Sequence, residues 1–118
     1  MIYRKQKSIS DYKPNDSFQD VFVVRFTKEI RVTKNGKYFF EVKIQDALGD
    51  GMLKYWGSEN KASVEQVYNS IQPDSVILAE GVVSEFNGNI DFSVNDGKLR
   101  VLTPSEYDIS DFVKKSDR

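Results

Sequence analysis

The chain has 118 residues, 39% of them hydrophobic and 30% charged, a composition that supports one ordinary globular core and excludes a disordered chain. It contains no cysteine and no histidine, which excludes disulfides, thiolate or imidazole zinc sites, and any catalytic arrangement built on Cys–His or Ser–His–Asp. The formal net charge of −1 hides an uneven distribution. Residues 1–43 carry ten Lys/Arg against five acids, whereas residues 44–118 carry seven against thirteen, a pattern that points to a basic face on an acidic body.

No run of apolar residues is long enough to cross a membrane. The basic start, Met1 to Lys7, leads into Ser8-Ile9-Ser10-Asp11 rather than an apolar stretch, so no secretory leader is expected. With no cysteine, the cytoplasm is the default compartment. Residues 1–16 read as a polar N-terminal arm ending in the turn signal Pro14-Asn15-Asp16.

A β-rich stretch from Phe18 to Val32 forms the first strand. The Asn35-Gly36 pair within Thr33 to Lys37 then signals a hairpin, because both residues tolerate positive φ. The second strand runs from Tyr38 to Gln45 and ends in the turn Asp46 to Gly51, and a short third strand covers Met52–Trp56. Ser58 is the expected N-cap of a helix reaching about Ile71, with Val64, Val67, Tyr68 and Ile71 on one apolar face and Pro73-Asp74 as the stop. Val76–Glu85 is the fourth strand, Phe86-Asn87-Gly88-Asn89 a second hairpin, and Ile90–Val94 the fifth strand. A separate tail strand, Leu99–Leu102, precedes Thr103-Pro104-Ser105.

Three strands, one helix and two strands, with the helix between strands three and four, is the chain order of an all-β, five-stranded Greek-key OB-fold barrel. The domain is expected over residues 17–103, with 104–118 as a C-terminal tail or linker, helical in part. The binding surface of such a barrel is the outer face of strands two and three, flanked by the loops that here carry Asn-Gly.

Strand parity sorts the side chains. Tyr38, Phe40, Val42, Ile44, Leu53, Tyr55, Ile90, Phe92 and Val94 are expected inside, together with Phe22, Val24 and Phe26 of the first strand. Phe39, Lys43, Met52, Lys54 and Trp56 then collect on the outer face. Aromatics beside lysines suit single-stranded nucleic acid, because every base offers a π-face for stacking while ammonium groups meet the phosphates between bases. Phe86 at the second hairpin is a candidate clamp. Arg25, Arg31, Lys34 and Lys37 are candidate phosphate contacts. An exposed tryptophan with aromatic neighbours is equally suited to anchoring a protein partner or a second copy.

Phe22-Val23-Val24, Arg31 to Lys37, Gln45-Asp46 with Gly49, Lys54-Tyr55-Trp56, Gly81-Val82-Val83 and Phe86-Asn87-Gly88 together resemble the N-terminal OB domain of YhaM-type 3′→5′ exoribonucleases. The pattern is similar, too, to the OB domains of archaeal single-stranded DNA-binding and replication protein A-like proteins. It covers roughly Ile9 to Val113. The resemblance implies single-strand capture of DNA or RNA, with Trp56, Phe39 and Phe86 at contact positions. It also implies a helical, metal-dependent catalytic domain after the tail Tyr107 to Lys114. The histidines of such a domain are absent from these 118 residues, so no catalytic residue, metal or cofactor is expected here, and the chain is either freestanding or the binding part of a larger protein.

Overall fold

The computed structural model describes residues 2–46, 49–86, 88–109 and 112, with only the backbone of Phe86. Six strands and one helix follow in chain order: β1 Ser17–Thr27, β2 Arg31–Val32, β3 Tyr38–Gln45, β4 Asp50–Trp56, α1 Lys61–Ser70, β5 Val76–Phe86 and β6 Asn89–Leu102. Antiparallel ladders join β1 to β3, β3 to β4, β5 to β6 and β1 to β5, and a parallel ladder joins β4 to β6. The five long strands therefore close on themselves in the order β1-β3-β4-β6-β5-β1, which removes the open edges of a flat sheet. Among the described residues no helix is long and apolar enough to cross a membrane.

Ring packing fills the interior. Tyr12, Phe18 and Phe22 each place a ring within 5.2–5.4 Å of Phe92, and Phe40 stacks on Tyr55 at 5.0 Å. Helix α1 closes one end, with Val64 fully buried and Tyr68 edge-on to Phe40 at 5.2 Å. Its N-cap is Asn60, whose side chain accepts the Ser63 N–H, and not the expected Ser58. Ser58 instead accepts the Asn60 N–H through its hydroxyl, which makes it part of the turn leading into the helix. Ile71 is the C-cap.

Residues 2–12 close another part of the barrel. Ile9 and Tyr12 are buried in the core, and the carboxylate of Asp20, itself 1% exposed, gathers donors from this segment. Its Oδ2 accepts from Lys5 Nζ at 2.8 Å and the Tyr12 hydroxyl at 2.7 Å, and its Oδ1 from the Gln6 N–H at 2.8 Å. Asp46, also buried, accepts the Ile9 N–H at 2.7 Å and the Gly49 N–H at 2.9 Å. Buried carboxylates are tolerable only when satisfied in this way.

Four departures from the sequence reading have local causes. The first strand stops at Thr27 and resumes only as the two-residue β2. In the hairpin that follows, Gly36 alone takes positive φ (83°), because Thr33 and Lys37 pair across a three-residue loop whose last residue needs it. The fifth strand and the tail strand form one element, β6, paired to β5 on both sides of an interruption. After Pro104–Glu106 the tail makes a parallel bridge from Tyr107 to Tyr3; residues 113–118 lie outside the described residues, as do Ala47, Leu48 and Asn87 of the expected turns.

The fourth departure matters most for function. In the β1–β3 ladder Val24 pairs with Ile44, but Phe26 pairs with Lys43, so Arg25 is an extra residue on β1. This bulge reverses the alternation beyond it. Phe26, expected inside, is 48% exposed and shares the outer face with Lys43.

A Cβ on Gly81 would lie 1.8 Å from the carbonyl oxygen of Ser93, so Gly81→Ala is expected to lower unfolding free energy by about 3 kcal/mol in urea melts. The Tyr12 hydroxyl is pushed above the ordinary tyrosine range, chiefly by burial and then by Asp20. The unfolded chain releases this proton near pH 10 (about the free tyrosine value) while the folded chain retains it, so this stability is full below that pH and lost above it. Urea midpoints are therefore expected to fall as pH rises past about 10, and less steeply in Tyr12→Phe.

Candidate nucleic-acid interface

Ladder register assembles three rows of outward side chains across β3, β4 and β6, because directly paired residues share a face. The first row is Arg31, Phe39, Trp56 and Asn95. The second is Glu41, Lys54, Ser93 and Val82. The third is Phe26, Lys43, Met52, Asp91 and Ser84.

Phe39 and Trp56 are half-buried neighbours on this wall, their ring centroids 5.3 Å apart and the planes tilted by 33°. Trp56 is held in place by its indole N–H, which donates to Ser93 Oγ at 2.9 Å. The Lys54 ammonium lies over both rings, 5.3 Å from the Phe39 centroid and 4.9 Å from that of Trp56. A cation so placed is attracted by the ring quadrupoles. The result is a fixed aromatic surface with a mobile-tipped positive charge directly above it.

The other expected cations divide into two groups. Lys43 pairs with Asp50 at 3.6 Å and Arg25 with Asp74 at 3.5 Å, contacts between partly exposed groups that hold either cation weakly. Arg31, Lys34, Lys37 and Lys54 form no ion pair among the described residues, and the first three are exposed. Arg31 stands beside Phe39, and Lys34 and Lys37 flank the Gly36 turn. Arg25 opens instead on a cleft of about 290 Å³ with Val23, Gln45, Asp74, Ile109 and Phe112, apart from the ring pair. Met52 lies in the third row, and the Phe86 side chain lies outside the described residues.

Sequence reasoning missed Phe26. No residue type in Val24-Arg25-Phe26 announces a bulge, so parity counted straight through it. It also missed a cleft of about 520 Å³ beside Trp56, lined by Thr33, Asn35, Lys37, Gly57, Asn95 and Asp96. One side of this cleft is the Gly36 hairpin. The other is a stretch of β6 that leaves its ladder to β5, while Asn95 still pairs with Trp56 of β4: Gly81 pairs with Val94 but Ala79 with Leu99, so Asn95 to Lys98 are extra residues against β5, with Gly97 at φ 82°. The buried Tyr55 pins this excursion, donating its hydroxyl to Asp96 Oδ1 at 2.9 Å and accepting the Gly97 N–H at 3.0 Å. Burial raises the Tyr55 pKa, the Gly97 amide works the other way, and Asp96 raises it again. No group of three or more potential metal ligands occurs among the described residues.

The barrel resembles solved structures far more than the sequence resembles theirs. A domain of replication protein A from Methanococcus maripaludis matches with a TM-score of 0.65 at 16% identity, over 84% of this chain and 97% of that one. The OB domain of Ta0387 from Thermoplasma acidophilum matches with a TM-score of 0.61 at 15% identity, over 82% and 86%. The fold is an OB-fold. A replication protein A heterotrimer bound to single-stranded DNA contains a chain that matches with a TM-score of 0.64 at 17% identity, over 94% of this chain and 27% of that one. No family model matches the sequence.

The bulge can be tested through stability alone. Phe22, fully buried, is expected to lose about 3–5 kcal/mol on replacement by Ala, whereas Phe26→Thr is expected to stay within about 0.5 kcal/mol of the native chain in the same urea melts.

Proposed function

We propose that this chain is a non-catalytic module that binds single-stranded nucleic acid across the outer wall of β3, β4 and the outer end of β1. The observation that carries this reading is the Phe39–Trp56 pair with the Lys54 ammonium poised over it. Two neighbouring rings offer a base a stacking surface, and the flexible Lys54 side chain can swing from the rings to a phosphate as the base arrives. Arg31, Lys34 and Lys37, free of carboxylate partners among the described residues, supply further phosphate contacts on one side. Phe26, with Lys43 next to it, offers a second stacking position along the same wall. A replication protein A heterotrimer, one chain of which matches this fold over 27% of its length, was solved bound to single-stranded DNA, which supports the reading without fixing DNA over RNA. In an exoribonuclease setting the module would capture substrate for a separate catalytic domain.

Trp56 is the only tryptophan, so its fluorescence reports the site directly. Titration with a mixed-sequence single-stranded oligomer at low salt is expected to quench it. Affinity should fall with salt, at a log–log slope of about −0.7 per neutralised phosphate. Phe39→Ala should weaken binding of an end-labelled oligomer by about 1–3 kcal/mol. Unchanged emission, together with no anisotropy change of the labelled oligomer, would defeat the proposal.

A further inference from the structure

The cleft beside Trp56 contains a group that neither stacking nor phosphate contact uses. Asp96 is a carboxylate that lines the same cleft as Trp56, Lys37 and Asn35, where it would repel a phosphate. Its position is nevertheless built with care. The β6 excursion brings it there, Gly97 makes the necessary turn, and a core tyrosine holds one of its oxygens. An ionised carboxylate accepts and never donates. With Oδ1 taken by Tyr55, Oδ2 has no protein partner among the described residues; Asp96 is exposed, so this oxygen faces solvent and is open to a donor on a ligand.

A DNA single strand offers few donors. Its phosphates and sugar oxygens only accept, which leaves the amino groups and ring N–H groups of the bases. Thymine lacks an amino group, and its O4 is an acceptor; cytosine carries the N4 amino group at the same place. We infer that this cleft reads the edge of the base stacked on Trp56, with Asp96 accepting its exocyclic amino group and thereby selecting cytosine over thymine. The inference rests on the single-strand-binding reading and adds base preference to it. A thymine in the same pose would set its O4 carbonyl toward the carboxylate and forgo that hydrogen bond; Asp96 is exposed and stays hydrated, so the discrimination amounts to one charge-assisted hydrogen bond. Asn35 and Asn95, on opposite sides of the cleft, supply amides that can donate to the acceptors of the same base edge.

A purely structural Asp96 would do no more than anchor the Tyr55 hydroxyl. Asp96→Asn separates the two roles. The asparagine oxygen can still accept from Tyr55, while its amide presents donors where the free carboxylate oxygen was. The experiment measures anisotropy of end-labelled oligo-dC and oligo-dT, each of about 12 nucleotides, at neutral pH with the full chain. The native protein is expected to bind oligo-dC about tenfold more tightly than oligo-dT. In Asp96→Asn, shown by thermal melting to be folded, the ratio should collapse or invert while the salt dependence stays the same. A second variant, Tyr55→Phe, frees the carboxylate and should reduce the ratio with binding retained. Equal affinity of the native protein for the two oligomers, or a preference that survives Asp96→Asn, overturns base reading and leaves single-strand binding intact. Binding to neither oligomer overturns both.

Discussion

The interior of a five-stranded barrel is only as wide as the side chains that fill it, and that limit dictates what is left for the outside. Here the inward positions of β3 and β4 are taken by Phe40, Val42, Ile44, Leu53 and Tyr55, each 0–1% exposed. Strict alternation then leaves Phe39, Glu41, Lys43, Met52, Lys54 and Trp56 no place but the outer wall. The ring pair is thus a by-product of core packing in position and a departure from it in chemistry. A wall built only for solubility would carry polar residues at 39 and 56. Register makes the two rings adjacent, and the Trp56–Ser93 hydrogen bond stops the indole from turning away.

The buried carboxylates of Asp20 and Asp46, on the barrel beneath the N-terminal segment, solve a different problem. In residues 2–12 only Ile9 and Tyr12 join the main core, with Tyr3 packed against the smaller cluster of Val21, Val76 and Leu102, a small apolar contribution for so polar a segment. Asp20 and Asp46 supply the remainder by accepting backbone and side-chain donors that would otherwise face a closed interior. The Lys5 ammonium, 2.8 Å from Asp20 and 4.0 Å from the Phe22 ring centroid, balances the charge there. Replacing Lys5 by an apolar residue would take the ammonium away from both buried carboxylates, which costs more than either pair contributes.

Much of this architecture was legible in the sequence, for a physical reason. Alternation in β3, β4 and β6 is enforced by burial on one face, so Phe40, Tyr55, Phe92 and Val94 declared themselves as core. The helix position and the closing strands followed from turn chemistry. What stayed hidden depended on geometry that no residue type encodes. The Arg25 bulge moved Phe26 from core to surface. Asn60 and Ser58 are both good caps, and only the path of the chain from Gly57 selects between them. The Asp20 network joins residues 8–15 positions apart in sequence, a coupling invisible to local patterns. At the wall, adjacency of Phe39 and Trp56 was readable because hairpin register is short-range. The cleft was not, because it needs the Gly36 turn and the β6 excursion to meet across the barrel mouth.

That excursion, Asn95 to Lys98, lies outside the ladder to β5 while the strand on either side of it keeps its register. The exposed side chains of Asn95 and Lys98 can therefore change without sliding Phe92 or Leu102 out of the interior. Asp96 and Gly97 are held more tightly, because they are the partners of the buried Tyr55 hydroxyl, so the segment couples what the mouth of the cleft presents to the packing beneath it. Variation at Asn95, which lines the cleft, and at Lys98 changes the exposed face there at little risk to folding.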